Sequence, residues 1–139
     1  MFKDNEQQPE GFQVPLQEAL DNLKLTDDGL IAAIAQQHDT GEVLMMAWMN
    51  REALEETLAT GRVCYFSRSR KKLWRKGESS GQVQMLKELR IDCDADTVLV
   101  KVDQTGPACR RDCFYWKADA NNVTIDKTPI IDPKELYKK

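Results

Sequence analysis

Short apolar runs broken by turn-forming residues, with few stretches periodic enough to be helices, restrict this chain to a sheet-dominated fold. Leu30 to Ala35 and Val43 to Met49 are apolar runs separated by His38-Asp39-Thr40-Gly41-Glu42, which has the turn chemistry of a hairpin. His38, the only histidine, thereby falls in a turn and is read as structural. Val63 to Ser67 reads as a strand. After a basic segment, Val83 to Asp92 and Thr97 to Gln104 read as a further pair bent at an aspartate run, and Phe114 to Trp116 and Val123 to Ile125 as short closing strands. Pro15 opens a short amphipathic helix in which Leu16, Ala19, Leu20 and Leu23 recur at helical spacing. Asn50 is placed to cap a helix over Arg51 to Thr60, with Ala53, Leu54, Thr57 and Leu58 on one face and Gly61 as its stop. Pro133 begins a last helical turn. Strands and helices do not alternate as a doubly wound sheet requires. The expected fold is therefore α+β, a β-rich single domain with a mixed or antiparallel sheet and a few short helices.

With 139 residues, 41% of them hydrophobic and 31% charged, one core can be built, and residues 16–139 are expected to form it behind a flexible N-terminal segment, residues 1–15. A formal net charge of -3 argues against a generally basic nucleic-acid binder but allows a local basic patch. Met1-Phe2-Lys3-Asp4-Asn5-Glu6 lacks the apolar core of a signal peptide, and no long apolar stretch follows. The expectation is a cytoplasmic protein with no membrane segment and with reduced thiols. Clustered cysteines in that compartment are more often metal ligands or catalytic groups than cross-links.

Two clusters carry chemistry. Asp92-Cys93-Asp94-Ala95-Asp96 and Cys109-Arg110-Arg111-Asp112-Cys113 bring carboxylates, which suit Mg²⁺, close in sequence to thiolates, which suit Zn²⁺. If the chain stays extended through the first run, Asp92, Asp94 and Asp96 share one face and Cys93 takes the other. Like charges on one face repel unless a cation sits among them, although a solvated Asp-rich turn is the plain alternative. The second cluster, Arg68 to Gly81, gathers cations, hydroxyls and glycines around Trp74, a composition suited to phosphate. Taken alone it could equally be a solvated face or an RNA-contact strip, and Trp74 could stack on a base or pack in the core. Cys64, inside Val63-Cys64-Tyr65-Phe66, reads as core.

Gly41-Glu42-Val43-Leu44-Met45 with Ala47-Trp48-Met49-Asn50, then Ser67-Arg68-Ser69-Arg70, Leu73-Trp74-Arg75-Lys76-Gly77-Glu78, Asp92-Cys93-Asp94-Ala95-Asp96 and Cys113-Phe114-Tyr115 closely resemble the phosphoribosyl-AMP cyclohydrolases, ring-opening enzymes of histidine biosynthesis. The likeness runs from about Leu30 to Trp116. It implies Mg²⁺ on Asp92, Asp94 and Asp96, and Zn²⁺ on Cys93, Cys109 and Cys113. It also implies an intertwined homodimer in which the zinc site draws Cys93 from the partner subunit. Many relatives carry a fused pyrophosphohydrolase domain, which is not expected here. The implied substrate is an adenine nucleotide with a second phosphoribosyl group on N1. Its two phosphates would be met by candidates Arg68, Arg70, Lys72, Arg75 and Lys76, with Ser69, Ser79 and Ser80 as partners and Trp74 alongside.

The chain departs from the family pattern in two places. Relatives usually have a longer segment between the last two cysteines, beginning with a histidine, where this chain has Arg110-Arg111-Asp112. They also commonly have histidine where this chain has Gln82. Asp112 or Glu78 is then the expected proton acceptor, with Arg110 and Arg111 offsetting thiolate charge. Two rival readings are a zinc-dependent nucleobase deaminase, which lacks its His-x-Glu motif here, and a non-catalytic zinc module binding RNA through Arg68 to Lys76.

Overall fold

The structure, a computed structural model, describes residues 1–106, 108 and 113–128. A 3-10 turn at Lys3–Asn5 precedes helix α1 (Leu16–Asp21), with Pro15 in extended geometry as its N-cap. Strand β1 (Ile31–Gln37) turns into β2 (Val43–Met49), and helix α2 (Arg51–Thr60) leads to the hairpin of β3 (Cys64–Ser67) and β4 (Lys72–Arg75). Strands β5 (Gln84–Ile91) and β6 (Thr97–Gln104) follow, then a small hairpin of β7 (Trp116–Ala118) and β8 (Val123–Ile125).

The main sheet has the order β2-β1-β6-β5, with β1 and β6 parallel and the outer pairs antiparallel. This is the mixed sheet of an α+β domain. Alternation explains its faces: Ile31, Ala33 and Ala35 of β1 and Val98, Val100 and Val102 of β6 are buried in step, so one row from each strand feeds a single core. A buried valine contributes roughly 1.5–3 kcal/mol, which makes the central pair the anchor of the sheet.

Helix α2 closes that core with Ala53, Leu54 and Thr57. Its ends follow the sequence. The Asn50 side chain accepts from the Ala53 amide at 2.8 Å, and Gly61 takes the left-handed conformation (φ 79°) that ends the helix. Thr57 Oγ1 then accepts from the Cys64 amide at 2.9 Å, tying the helix to β3. Cys64 itself is fully buried, as read from the sequence, and its thiol is pushed up to about 12, first by burial and then by the neighbouring Glu56 carboxylate.

Two expectations need correction. The basic segment is not merely an intervening stretch, because Lys72–Arg75 pairs with Cys64–Ser67 as β4. Trp74 opposite Tyr65 and Leu73 opposite Phe66 supply the apolar cross-strand contacts that the surrounding charges obscure. The first closing strand begins at Trp116, so Phe114 and Tyr115 precede it. The helical turn expected from Pro133 lies outside the described residues.

Candidate active site

Strand β4 and the loop that follows it line a cleft of about 830 Å³. Trp74 is half-buried and tilted against Tyr65, their ring centroids 5.3 Å apart, so its indole is both core and cleft wall. Tyr65 is pinned from behind: its hydroxyl donates to Gln84 Oε1 at 2.6 Å, and Gln84 Nε2 donates to Gln104 Oε1 at 2.8 Å. The rim carries Arg70, Gly77, Glu78, Ser79 and Ser80, while Met45 and Met46 line it from β2, and Ala108, Cys113 and Phe114 from the later segment.

Gly77 at φ +86° lets the chain fold back sharply, and a Cβ there would lie 2.5 Å from the Gln82 carbonyl carbon and the Val83 amide nitrogen. The 77–83 loop is therefore packed on itself as it joins β5.

The cations of the basic segment are not equivalent. Arg75 is committed to Glu56 through two bonds, Nε to Oε2 at 2.8 Å and Nη2 to Oε1 at 2.6 Å, which also holds the Glu56 carboxyl below its usual range. Lys76 is buried and its Nζ donates to the Ala108 carbonyl at 2.7 Å; burial pulls its ammonium below the ordinary lysine range. Arg68 lies over the Trp48 ring at 4.8 Å and, with Ser69, borders a separate groove shared with Trp48, Phe66 and Trp74. Arg70 reaches the main cleft, and Lys72 is exposed and lines neither. The structure thus brings Arg70, Trp74, Arg75, Lys76, Glu78, Ser79 and Ser80 together, and sets Arg68 and Ser69 in a second groove that Trp74 also borders.

The aspartate run is a tight turn rather than a bent continuation of the strands. The Asp92 amide donates to Thr97 O at 2.9 Å, the Ala95 amide to Asp92 O at 2.8 Å, and the Asp94 amide to the Asp92 carboxylate at 3.1 Å. Ala95 is left-handed (φ 59°) and buried. The expected alternation of faces fails for that reason: a turn does not alternate, and Asp92, Cys93 and Asp94 instead bring their ligand atoms within 4.8 Å of one another. Asp96 stands outside this group and accepts from its neighbour Thr97 Oγ1 at 3.4 Å.

Among the described residues the free thiols are Cys64 and Cys93. Cys113 is disulfide-bonded, which departs from the expectation of reduced cysteines, and its use as a metal ligand requires that bond to be opened. Cys109 and Asp112, with Arg110 and Arg111, lie outside the described residues.

Sequence reading did not anticipate Met45, Met46 and Ala108 in the cleft. The methionines sit in an unbroken apolar strand that gives no sign of which face lines a site.

Residues 45–115 match the family model described as phosphoribosyl-AMP cyclohydrolase. A protein of Alcanivorax borkumensis bearing that name is 84% identical over 142 aligned positions that cover all of both chains. The chain belongs to the phosphoribosyl-AMP cyclohydrolase family. Relatives of the same name from Alkalilimnicola ehrlichii and Halorhodospira halophila are 62% identical over the full length of both chains and 59% identical over 99% of both. The region matched by the cyclohydrolase model contains the cleft residues on β2, the β3–β4 hairpin, the acidic turn and Cys113, so the cleft and the turn are both features of the family's core segment. Among the described residues, no helix is long and apolar enough to cross a membrane.

Proposed function

We propose that this chain hydrolyses the C6–N1 bond of N1-phosphoribosyl-AMP, the ring-opening step of histidine biosynthesis, as a zinc- and magnesium-dependent cytoplasmic homodimer. One observation carries the reading: a metal-ligand candidate, Cys113, and phosphate-binding candidates, Arg70, Ser79 and Ser80, line the same cleft. Phosphoribosylation at N1 withdraws electrons from the purine and makes C6 electrophilic. Water adds there, and collapse of the adduct breaks the bond to N1, leaving a carboxamide on the imidazole and a formamidine on the second ribose.

The donor set fits the two metals. Asp92, Cys93 and Asp94 converge within 4.8 Å on an exposed turn, and that mixture of hard oxygen and soft sulfur suits Mg²⁺ on the carboxylates, with Asp96 joining them, and Zn²⁺ on Cys93, Cys109 and Cys113. Zinc, when bound, supplies a Lewis acid that brings water near ionisation at neutral pH. The chain's own residues do the rest. Trp74 offers a flat wall for the purine, Glu78 on the rim or Asp112 accepts the proton from the attacking water, and Lys76 fixes Ala108 against the cleft.

Strand length supports the dimer. The acidic turn precedes β6, whereas the loop whose Gly77, Glu78, Ser79 and Ser80 line the cleft joins β5 near the end where Gln84 pairs with Gln104. At roughly 3.3 Å per residue the strand Thr97–Gln104 spans about 20 Å or more, so that loop and the turn stand a strand length apart, which favours Cys93 reaching the cleft of a second copy. An apolar surface suited to it exists: Phe114, Trp116, Val123 and Ile125 are all exposed around the β7–β8 hairpin, with Trp116 at 57% and Val123 at 59%.

The test is turnover of N1-phosphoribosyl-AMP by reduced, metal-stripped protein, followed by the ultraviolet change of ring opening as Zn²⁺ and Mg²⁺ are restored separately and together. Opening that requires zinc is expected; zinc bound to an intact dimer without any opening would refute the reaction.

A further inference from the structure

We propose that the two phosphates of the substrate are divided between the two cavities that Trp74 borders, one held by Arg70 in the main cleft and the other by Arg68 in the groove walled by Trp48 and Phe66. This rests on the ring-opening reading and specifies how its bisphosphate substrate is divided.

Charge accounting leads to it. Five cations of the basic segment are candidates on sequence alone, but Arg75 is neutralised by Glu56, and Lys76 is buried with one ammonium donor committed to the Ala108 carbonyl. Among the described residues, Arg68 and Arg70 have no carboxylate partner, and each borders a depression. They lie two positions apart in the turn between β3 and β4, where they would share one face if the chain stayed extended. The turn separates them instead. Ser67 Oγ accepts from the Arg70 amide at 3.2 Å and Lys71 is left-handed (φ 53°), so the chain reverses between the two arginines and they reach different cavities.

Trp74 borders both cavities, the groove being about 520 Å³. A planar base against this indole would have one arm for each cavity. The groove also holds its arginine ready: stacking on Trp48 orients the guanidinium plane while its N–H groups stay free at the edge, and the Ser69 hydroxyl stands beside it. A guanidinium with a neighbouring hydroxyl and no carboxylate is suited to a phosphate monoester.

The experiment measures KM for N1-phosphoribosyl-AMP and the inhibition constant of AMP, which carries one phosphate, in Arg68→Ala, Arg70→Ala and the double variant. Unfolding midpoint and zinc content are checked against the unaltered protein. Loss of one charge-assisted contact should raise KM roughly tenfold or more in each single variant, and the effects should multiply in the double. AMP inhibition should weaken in only one of the two. An Arg68→Ala KM within twofold of the unaltered protein, a double variant no worse than the poorer single, or equal weakening of AMP inhibition in both would overturn the division while leaving the reaction standing. Absence of turnover in the unaltered protein would overturn both.

Discussion

Replacing Tyr65 with Phe isolates a contact that stands behind the cleft without touching what enters it. The Tyr65 hydroxyl is fully buried and donates to Gln84 Oε1 at 2.6 Å, and Gln84 is itself fully buried. The Gln84 amide cannot rotate to compensate, because its Nε2 already donates to Gln104 Oε1 at 2.8 Å and lies 3.3 Å from Met45 Sδ. Gln104 is fixed in turn by its own Nε2, which donates to the Gln82 carbonyl at 3.0 Å. Removing the hydroxyl therefore strands a buried acceptor, which costs about 1–3 kcal/mol. The ring remains, so the contact with Trp74 at 5.3 Å persists and no ring-sized cavity opens. Urea unfolding at fixed protein concentration should show that loss with the m value unchanged, while KM for substrate stays within about twofold. Gln84→Leu on the Tyr65→Phe background should cost less than the sum of the two single changes, because the stranded acceptor has gone. A loss below about 0.5 kcal/mol for Tyr65→Phe, or additivity in the pair, would show that the buried amide network is not what holds β3 against β5.

Three further expectations follow from the same geometry. Asn50→Ala removes the cap of α2 and should lower stability by about 1 kcal/mol in the same unfolding assay, with Asn50→Ser recovering most of it. Glu56 is held below its usual 4.5, chiefly by its hydrogen bonds with Arg75, so its contribution is present above that value and is lost as pH falls through the lower folded one. Glu56→Gln should flatten the acid limb of a stability-against-pH curve below about 4.5. Gly77→Ala places a Cβ 2.5 Å from backbone at a positive φ and should destabilise the protein and raise KM together, since the 77–83 loop has to move. An unchanged KM would mean that this loop does not shape the cleft.

The sheet was largely legible from sequence because its signals are local. Ile31, Ala33 and Ala35 alternate into the core, and Asn50 and Gly61 bracket α2 as cap and stop. β4 escaped because Lys72-Leu73-Trp74-Arg75 looks like part of a charge run until its pairing with β3 is known. The acidic turn misled for the opposite reason: alternation was extended through residues whose hydrogen bonds close a turn, with Ala95 in a conformation that costs a β-carbon residue energy and is held by its burial. Composition correctly gathered the cations but could not separate them. Arg75 meets Glu56 across 19 residues and Lys76 meets Ala108 across 32, and separations of that length leave no trace in a local pattern.

The separation of the acidic turn from the residues that line the cleft has a genetic consequence. With Cys93 supplied by the partner subunit, as proposed, each active centre of the dimer is assembled from the turn of one chain and the cleft of the other. Two alleles that each abolish activity, one damaging the turn and one damaging the cleft, would then complement each other: in a mixed dimer both lesions fall in one centre and the other centre is whole.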